Sequence, residues 1–209
     1  MVLVKLATQP IHMNMSIKGT KTATNGIEWN AAHGLLVRLK NDGKLREYLL
    51  ISAGCYFGLR IGDLLNLKWE DVLDKDEFHL TEGKTGKQRK ITINKFPKEA
   101  IKYVADSLTR DGIFNPQGYM FCNKHGNKLT RQFVNLLLHE VFKDYNLKAQ
   151  NPSTHTLRKT FGKRVWESDN KSERALVYLS EIFSHTNLAV TKRYIGITDK
   201  VIADVYMNL

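Results

Sequence analysis

The chain has 209 residues, of which 42% are hydrophobic and 25% are charged. This composition is typical of a globular protein and excludes a mainly disordered one. A membrane-spanning helix needs a run of about 20 apolar residues, and no segment of the sequence approaches that length. Residues 1–15 lack the apolar segment and cleavage site of a secretory signal peptide. Cys55 and Cys122 both lie in apolar surroundings. We therefore expect a cytoplasmic protein with reduced thiols.

The charge of the chain is strongly positive. Lysine and arginine number 32 against 21 aspartates and glutamates, which gives a net charge of +11. An excess of this size favours a polyanionic partner such as a nucleic acid. A membrane surface is disfavoured, because the basic residues are spread along the chain and do not gather on one amphipathic helix. Charge alone leaves open a basic protein with no such partner.

The first half of the chain predicts helices around one short β-hairpin. Residues 1–27 are polar and aperiodic, as in an N-terminal arm or linker. Residues 44–57 are apolar almost all round, which predicts a buried central helix that ends at Gly58. Residues 78–80 and 90–93 alternate in polarity around a glycine-containing turn, which predicts a β-hairpin. An amphipathic helix is expected before the central one, with its apolar residues at helical spacing: Ala32, Leu35, Leu36 and Leu39.

The second half predicts only helices. One begins near Pro97, and one is capped by Thr130. A third begins at Ser153-Thr154, and residues 173–209 predict three short helices. The expected buried faces are Phe133, Leu136, Leu137 and Val141 on the second of these helices and Leu157, Phe161 and Val165 on the third. The predicted fold is mainly α with a small antiparallel sheet (α+β), in one domain without a second core.

Several motifs that mimic known sites are incomplete. Gly83-Lys84-Thr85 resembles the end of a phosphate-binding loop, but the glycine required five residues earlier is Phe78. Cys122 and His125 lack a second ligand pair, and His139-Glu140 lacks the second histidine of a zinc protease. No cluster of carboxylates suggests a two-metal nuclease. We therefore expect neither a metal nor another cofactor.

The remaining candidates are cations, histidines and a tyrosine. Arg60 stands at a predicted helix start, where its guanidinium and backbone N–H groups suit a phosphate. His155 and Arg158 lie within one turn of a predicted helix. Each residue alone has a structural explanation: an ion pair for Arg60, a solvated edge charge for Lys84 and a core position for Tyr194. Their order along the chain is more informative.

Five segments resemble the sequence boxes of the tyrosine recombinases, the phage-integrase family. GLRIGDLLNLKWED at 58–71 is similar to the first-arginine box, and GKTGKQR at 83–89 is similar to the lysine hairpin. HTLR at 155–158 matches the H-x-L-R box. Ser184-His185, followed nine residues later by Tyr194, matches the final histidine and the nucleophile. The resemblance covers residues 28–200 and implies the catalytic-domain fold of that family.

This resemblance implies a covalent mechanism without metal or ATP. Tyr194 would attack the scissile phosphodiester and form a 3′-phosphotyrosyl link with a free 5′-hydroxyl. Arg60 and Arg158 would bind the non-bridging oxygens and stabilise the transition state. The other implied roles are general acid for the leaving oxygen, proton transfer at the nucleophile and a hydrogen bond to the phosphate, for Lys84, His155 and His185 respectively.

Some positions depart from the family pattern or admit another assignment. Ser184 stands where the family usually has glycine, and Lys159 stands where it often has a second histidine. Lys87 is the alternative to Lys84 for the lysine role. We interpret Asp63 as a structural residue behind Arg60, since a carboxylate facing DNA would oppose binding.

The short N-terminal region predicts the domain organisation. Residues 1–27 would be an arm and residues 28–209 a catalytic domain, without the N-terminal core-binding domain of full integrases. The chain would then be a fragment or a single-domain member similar to the fimbrial-phase invertases. The implied partner is double-stranded DNA. A C-terminal tail at 201–209 would either link four protomers on DNA or close the chain's own core.

The function implied is a site-specific DNA recombinase in the bacterial cytoplasm, associated with the nucleoid. Two alternatives stay open. One is a type IB topoisomerase, which the H-x-L-R box with a final histidine disfavours. The other is a catalytically idle DNA-binding remnant of an integrase, which the intact set of six candidate residues disfavours.

Overall fold

A computed structural model describes residues 24–197, 203 and 206–208, which form helices and one two-stranded antiparallel sheet. The helices are α1 (Trp29–Asn41), α2 (Leu45–Phe57), α3 (Ile61–Leu64), α4 (Trp69–Val72), α5 (Lys95–Arg110), α6 (Arg131–Asp144), α7 (Thr154–Ser168), α8 (Glu173–Phe183) and α9 (Leu188–Ile195), and the strands are β1 (Glu77–Thr81) and β2 (Gln88–Thr92). None of these helices is long and apolar enough to cross a membrane.

Helix α2 is the centre of the main hydrophobic core. It packs against α1, α5 and α7, and its side chains are buried on nearly all sides. Burial of Cys55 within α2 raises the pKa of its thiol to about 12. The apolar face predicted for the preceding helix is also confirmed, since Ala32, Leu35, Leu36 and Leu39 are the buried residues of α1. The pattern of an all-apolar helix beside an amphipathic one therefore predicted the core correctly.

Gly58 ends α2 and directs the chain into the candidate site. It adopts a left-handed conformation with φ of +57°, which glycine accepts without steric cost. A Cβ atom at this position would lie 2.5 Å from Cδ1 of Phe161 on α7. The turn places Arg60 two residues later, as the N-cap residue of α3. Close packing and a positive φ therefore both require glycine here.

We expect Gly58→Ala to destabilise the protein by about 2 kcal/mol or more. The left-handed backbone and displacement of the Phe161 ring both contribute to this loss. Gly43→Ala is the matched control, because Gly43 has φ of +67° and no atom within 4 Å of its added Cβ. Chemical denaturation of both variants separates the two contributions. Equal losses in the two variants would contradict the packing argument.

The hairpin is confirmed, and its register decides which side chains face inward. Phe78 of β1 pairs with Ile91 of β2, and Leu80 pairs with Arg89. Phe78 and Ile91 are buried and their neighbours are exposed, as strand alternation requires. The hairpin packs against α4. The next inward position beyond β1 is residue 82, at the start of the turn.

Helix α6 is capped as predicted, and its buried face agrees with the prediction in part, since Leu137 and Val141 are buried. Thr130 Oγ1 accepts a hydrogen bond from Phe133 N. The fully buried positions include Val134 and Leu138, whereas Phe133 and Leu136 are only partly buried. Apolar residues cover a wide arc of this helix, so periodicity alone does not fix which edge of the arc is deepest. Helix α6 packs against α7.

A second, smaller hydrophobic cluster lies where α8 and α9 pack on α7. Its buried members are Leu176, Leu179, Phe183 and Ile195. The prediction of no second core was therefore wrong. Phe161 and Val165, which were expected on the buried face of α7, are partly buried against this cluster. The reason is that α7 lies between α2 on one side and α8 and α9 on the other.

The two ends of the chain are described only in part. Of the predicted arm, residues 24–27 are described and pack against α7. Ile27 is buried, and its N–H donates to Thr160 Oγ1 at 3.0 Å. Residues 1–23 lie outside the described part of the chain. The predicted role of the tail at 201–209 falls largely outside it as well, since only residues 203 and 206–208 are described there.

Candidate active site

Four of the six candidate residues meet around Phe183, the last residue of α8. Arg60 Nη2 and Arg158 Nη2 both donate to the carbonyl oxygen of Phe183, at 3.1 and 3.2 Å. The ring of Tyr194 lies 5.1 Å from the Phe183 ring and 5.2 Å from the His185 ring, centroid to centroid. Two arginines, a histidine and a tyrosine that are distant in sequence therefore form one cluster.

Arg158 is the buried cation of the cluster. Its side chain extends from α7 between two backbone oxygens, with Nη1 donating to Gly58 O and Nη2 to Phe183 O. Only 5% of the residue is exposed, and its guanidinium carbon lies 4.4 Å from the centroid of the Phe183 ring. Burial lowers the pKa of Arg158 to about 10. The guanidinium therefore keeps its charge at neutral pH.

Arg60 is held by a carboxylate that the sequence interpretation missed. Its Nη1 donates to Glu82 Oε2 at 2.6 Å, and Arg89 Nη1 donates to Glu82 Oε1 at 3.1 Å. The same carboxylate accepts from Thr85 Oγ1 at 2.6 Å and from Ser184 Oγ at 3.3 Å. Burial acts to raise the pKa of Glu82, but the hydrogen bonds from Thr85, Arg60 and Arg89 lower it to about 2. Glu82 is therefore ionised and fully buried.

Tyr194 lies in the last turn of α9, with its hydroxyl inside the cluster. Its Oη is buried near the Arg158 guanidinium, without a well-aligned hydrogen bond among the described residues. Burial raises the pKa of Tyr194, and the positive charges of Arg158 and Arg60 act in the opposite direction. The Lys159 ammonium lies 5.2 Å from the centroid of the tyrosine ring. In this conformation the hydroxyl is protonated and shielded from water.

His185 is positioned by a sharp turn after α8. Ser184 ends this helix in the left-handed conformation, with φ of +52°, which explains why glycine is usual there in the family described above. His185 Nδ1 then lies 2.9 Å from Thr191 Oγ1 of α9. Burial, together with the charges of Arg158 and Arg60, lowers the pKa of His185. The imidazole is therefore neutral at pH 7.

The other two candidates lie outside the cluster. His155 is exposed in the first turn of α7. Partial loss of hydration of its imidazole, together with the positive charges of Arg131, Lys159 and Arg158, lowers its pKa. Lys84 is exposed at the hairpin turn, and no contact among the described residues joins it to the cluster. The hairpin turn is anchored to α3 by a hydrogen bond in which Gly83 N donates to Asp63 Oδ1 at 2.9 Å.

The lowered pKa values of His155 and His185 predict how the stability of the protein depends on pH. In the unfolded chain both histidines bind protons near their ordinary pKa of about 6.5, whereas in the folded protein their pKa values are lower. The unfolded state thus binds more protons below this pH, so the free energy of unfolding falls as the pH drops through about 6.5. Denaturation at pH 7.5 and 5.5 measures the fall. His185→Gln should reduce it.

Comparisons with known proteins identify the family of the chain. The sequence profile of the phage integrase family matches residues 30–200. A probable integrase/recombinase, YoeC of Bacillus subtilis (strain 168), is 34% identical over 169 residues, covering 80% of this chain and 86% of the relative. A tyrosine recombinase XerC from Caldanaerobacter subterraneus subsp. tengcongensis is 27% identical over 168 residues, covering 79% of this chain and 45% of the relative. The chain therefore spans about half the length of that XerC relative.

Solved structures share the fold. The crystal structure of XerA recombinase superposes with a TM-score of 0.66 at 21% identity, covering 97% of this chain and 65% of that one. XerH site-specific recombinase, bound to a palindromic difH substrate in a post-cleavage complex, gives a TM-score of 0.65 at 19% identity, covering 87% of this chain and 52% of that one. The predicted fold, mainly α with a small antiparallel sheet and of the tyrosine-recombinase catalytic-domain type, is confirmed. The chain belongs to the phage integrase family, the tyrosine recombinases.

Proposed function

We propose that the protein is a site-specific DNA recombinase that breaks and rejoins double-stranded DNA through Tyr194, without metal or ATP. One observation carries the proposal: Arg60 and Arg158 direct N–H groups at a single oxygen atom, the carbonyl oxygen of Phe183, and the ring of Phe183 packs on the ring of Tyr194. Two guanidinium groups converging in this way suit the non-bridging oxygens of a phosphodiester. Within the described part of the chain, Arg60 and Arg158 each use two of their five N–H donors on the acceptors named above, which leaves donors for a phosphate.

The covalent step conserves the phosphodiester bond energy. The Tyr194 oxygen forms a bond to phosphorus as the bond from phosphorus to the 5′-oxygen breaks, which leaves a 3′-phosphotyrosyl link and a 5′-hydroxyl. Attack by a 5′-hydroxyl of a second strand reverses the step and joins the strands. Negative charge accumulates on the non-bridging oxygens in the transition state, and Arg60 and Arg158 would stabilise it.

Two proton transfers accompany this step. The phenol must lose a proton, and neutral His155 would accept it, consistent with the lowered pKa of His155. The leaving 5′-oxygen must gain a proton, and Lys84 would donate it. Lys84 lies on an exposed hairpin turn, so bound DNA would bring its ammonium to the leaving oxygen. Neutral His185 would donate a hydrogen bond to the phosphate.

The partner and assembly follow from the same proposal. The net charge of +11 favours double-stranded DNA. Four protomers would assemble on DNA, joined by the C-terminal tail, and would work on the nucleoid in the bacterial cytoplasm. We also propose that residues 28–209 act as the catalytic domain and residues 1–27 as an arm.

A second candidate is an idle DNA-binding remnant of an integrase. The observation that favours it is the buried Tyr194 hydroxyl, whose pKa is raised by burial. An idle binder needs neither access to this oxygen nor its deprotonation. Such a protein would bind DNA in a salt-sensitive way without forming a covalent product.

The test uses duplex DNA from the borders of the protein's own genetic element, nicked near candidate cleavage sites. Cleavage close to a nick releases a short fragment, which prevents rejoining and traps the adduct. We expect a DNA-linked protein band on a denaturing gel, equally strong with and without EDTA. Salt-sensitive binding without such a band on any substrate would favour the idle remnant.

A further inference from the structure

We propose that Glu82 is a positioning residue of the candidate active site, which fixes the orientation of Arg60 for phosphate binding. The inference rests on the proposed function. Glu82 belongs to none of the six candidate positions, and it carries the fully buried carboxylate that contacts Arg60.

Strand alternation carries Glu82 into the protein. Phe78 and Leu80 of β1 face inward, and Glu82 continues the same face at the start of the turn. A buried carboxylate is costly unless it is paired and hydrogen-bonded. Glu82 meets that requirement with donors from Arg60, Arg89, Thr85 and Ser184. The chain therefore satisfies this charge with groups drawn from both the hairpin and the cluster.

The contact between Glu82 and Arg60 fixes the plane of the guanidinium. Arg60 Nη1 is held by Glu82 and Nη2 by the Phe183 carbonyl, so its two terminal nitrogens have separate acceptors. The side chain of Arg60 is 24% exposed, which leaves room for rotation once one acceptor is lost. Loss of the carboxylate charge also removes the counterion that separates Arg60 from Arg89. Repulsion between the two cations would then displace Arg60.

Glu82 also connects the elements that carry the other candidate groups. Thr85 follows Lys84 on the hairpin turn, and Ser184 precedes His185 after α8, and both hydroxyls donate to Glu82 Oε2. One oxygen atom thereby ties together the first arginine, the lysine hairpin and the turn of the last histidine. A change at Glu82 should therefore slow cleavage more than it weakens DNA binding.

The experiment measures single-turnover cleavage of a nicked duplex by Glu82→Gln, which keeps the side-chain shape and removes its charge. We expect cleavage to slow by about tenfold or more, with the Kd for DNA changed by less than about threefold. Glu77→Gln is the matched control, since Glu77 lies on the same hairpin in an exposed ion pair with Lys90. This control should cleave at the wild-type rate.

A double-mutant cycle with Arg60→Lys distinguishes positioning from general stability. If Glu82 acts through Arg60, adding Glu82→Gln to Arg60→Lys should slow cleavage by less than about twofold. Equal slowing in both backgrounds, with parallel losses in melting temperature and DNA binding, would overturn the proposal. So would wild-type cleavage by Glu82→Gln.

A second variant covers the case in which Glu82→Gln does not fold. Thr85→Val removes one donor to the carboxylate at an exposed position. It should slow cleavage by about threefold or more in a protein that remains folded. An unchanged rate in a folded Thr85→Val protein would overturn the positioning role. Absence of any adduct with the wild-type protein would instead overturn the proposed function itself.

Discussion

Tyr194→Phe is expected to abolish covalent attachment to DNA while leaving the folded protein intact. The substitution removes the one oxygen that would attack phosphorus and retains the ring that packs on Phe183 and His185. That hydroxyl is buried beside the Arg158 guanidinium without a well-aligned hydrogen bond, so its removal should change the free energy of unfolding by less than about 1 kcal/mol. Gel analysis of the adduct and thermal denaturation measure the two effects.

Tyr178→Phe is the matched control for this variant. Tyr178 lies on α8 with 55% of its surface exposed, so loss of its hydroxyl should change neither cleavage nor stability. DNA binding by both variants should match that of the wild-type protein. An adduct formed by Tyr194→Phe at the wild-type level would assign the nucleophile to another residue.

Arg158→Ala is expected to slow cleavage by at least about 100-fold, or about 3 kcal/mol of transition-state stabilisation. It should also reduce the free energy of unfolding by about 2–4 kcal/mol, because the carbonyl oxygens of Gly58 and Phe183 both lose a buried donor. Arg158→Lys retains the charge, but an ammonium lacks the planar fork that reaches two separate carbonyls. It should therefore restore only part of the rate. Single-turnover kinetics and chemical denaturation measure the two losses.

Arg164→Ala, on the same helix, is the control for Arg158→Ala. Arg164 is exposed, and its guanidinium stacks on the ring of Trp29 at 5.2 Å. We expect a stability change within about 1 kcal/mol and cleavage at the wild-type rate. If Arg158→Ala cleaved as fast as Arg164→Ala, the phosphate-binding role of Arg158 would be wrong.

The sequence predicted the fold well where a pattern had one structural solution. The all-apolar run that became α2 and the alternating strands of the hairpin were both identified correctly. The buried face of α6 was predicted only in part: Leu137 and Val141 are buried as expected, whereas Phe133 and Leu136 are partly exposed, because apolar residues cover a wide arc of this helix. The second hydrophobic cluster, which contains Phe183, was missed because α8 and α9 bury their apolar faces on α7. The pattern of a single helix does not reveal which other helix it packs against.

The candidate site was predictable in its chemical groups but less so in their geometry. The sequence boxes identified Arg60, Arg158, His185 and Tyr194, which the fold brings together. Glu82 was missed, although a signal for it existed: the alternation of β1, extended by one step beyond Leu80, places residue 82 on the inward face. Other features left no such signal. The convergence of Arg60 and Arg158 on the backbone carbonyl of Phe183 results from tertiary packing, and the residue types along the chain do not indicate it.

The most direct test of the account identifies the residue that becomes linked to DNA. The wild-type protein is trapped on a nicked duplex, the adduct is digested with a nuclease and a protease, and the modified peptide is sequenced by mass spectrometry. The account predicts a nucleotide attached through its 3′-phosphate to Tyr194 in the peptide that contains α9. Attachment to any other residue, or attachment through a 5′-phosphate, would contradict it.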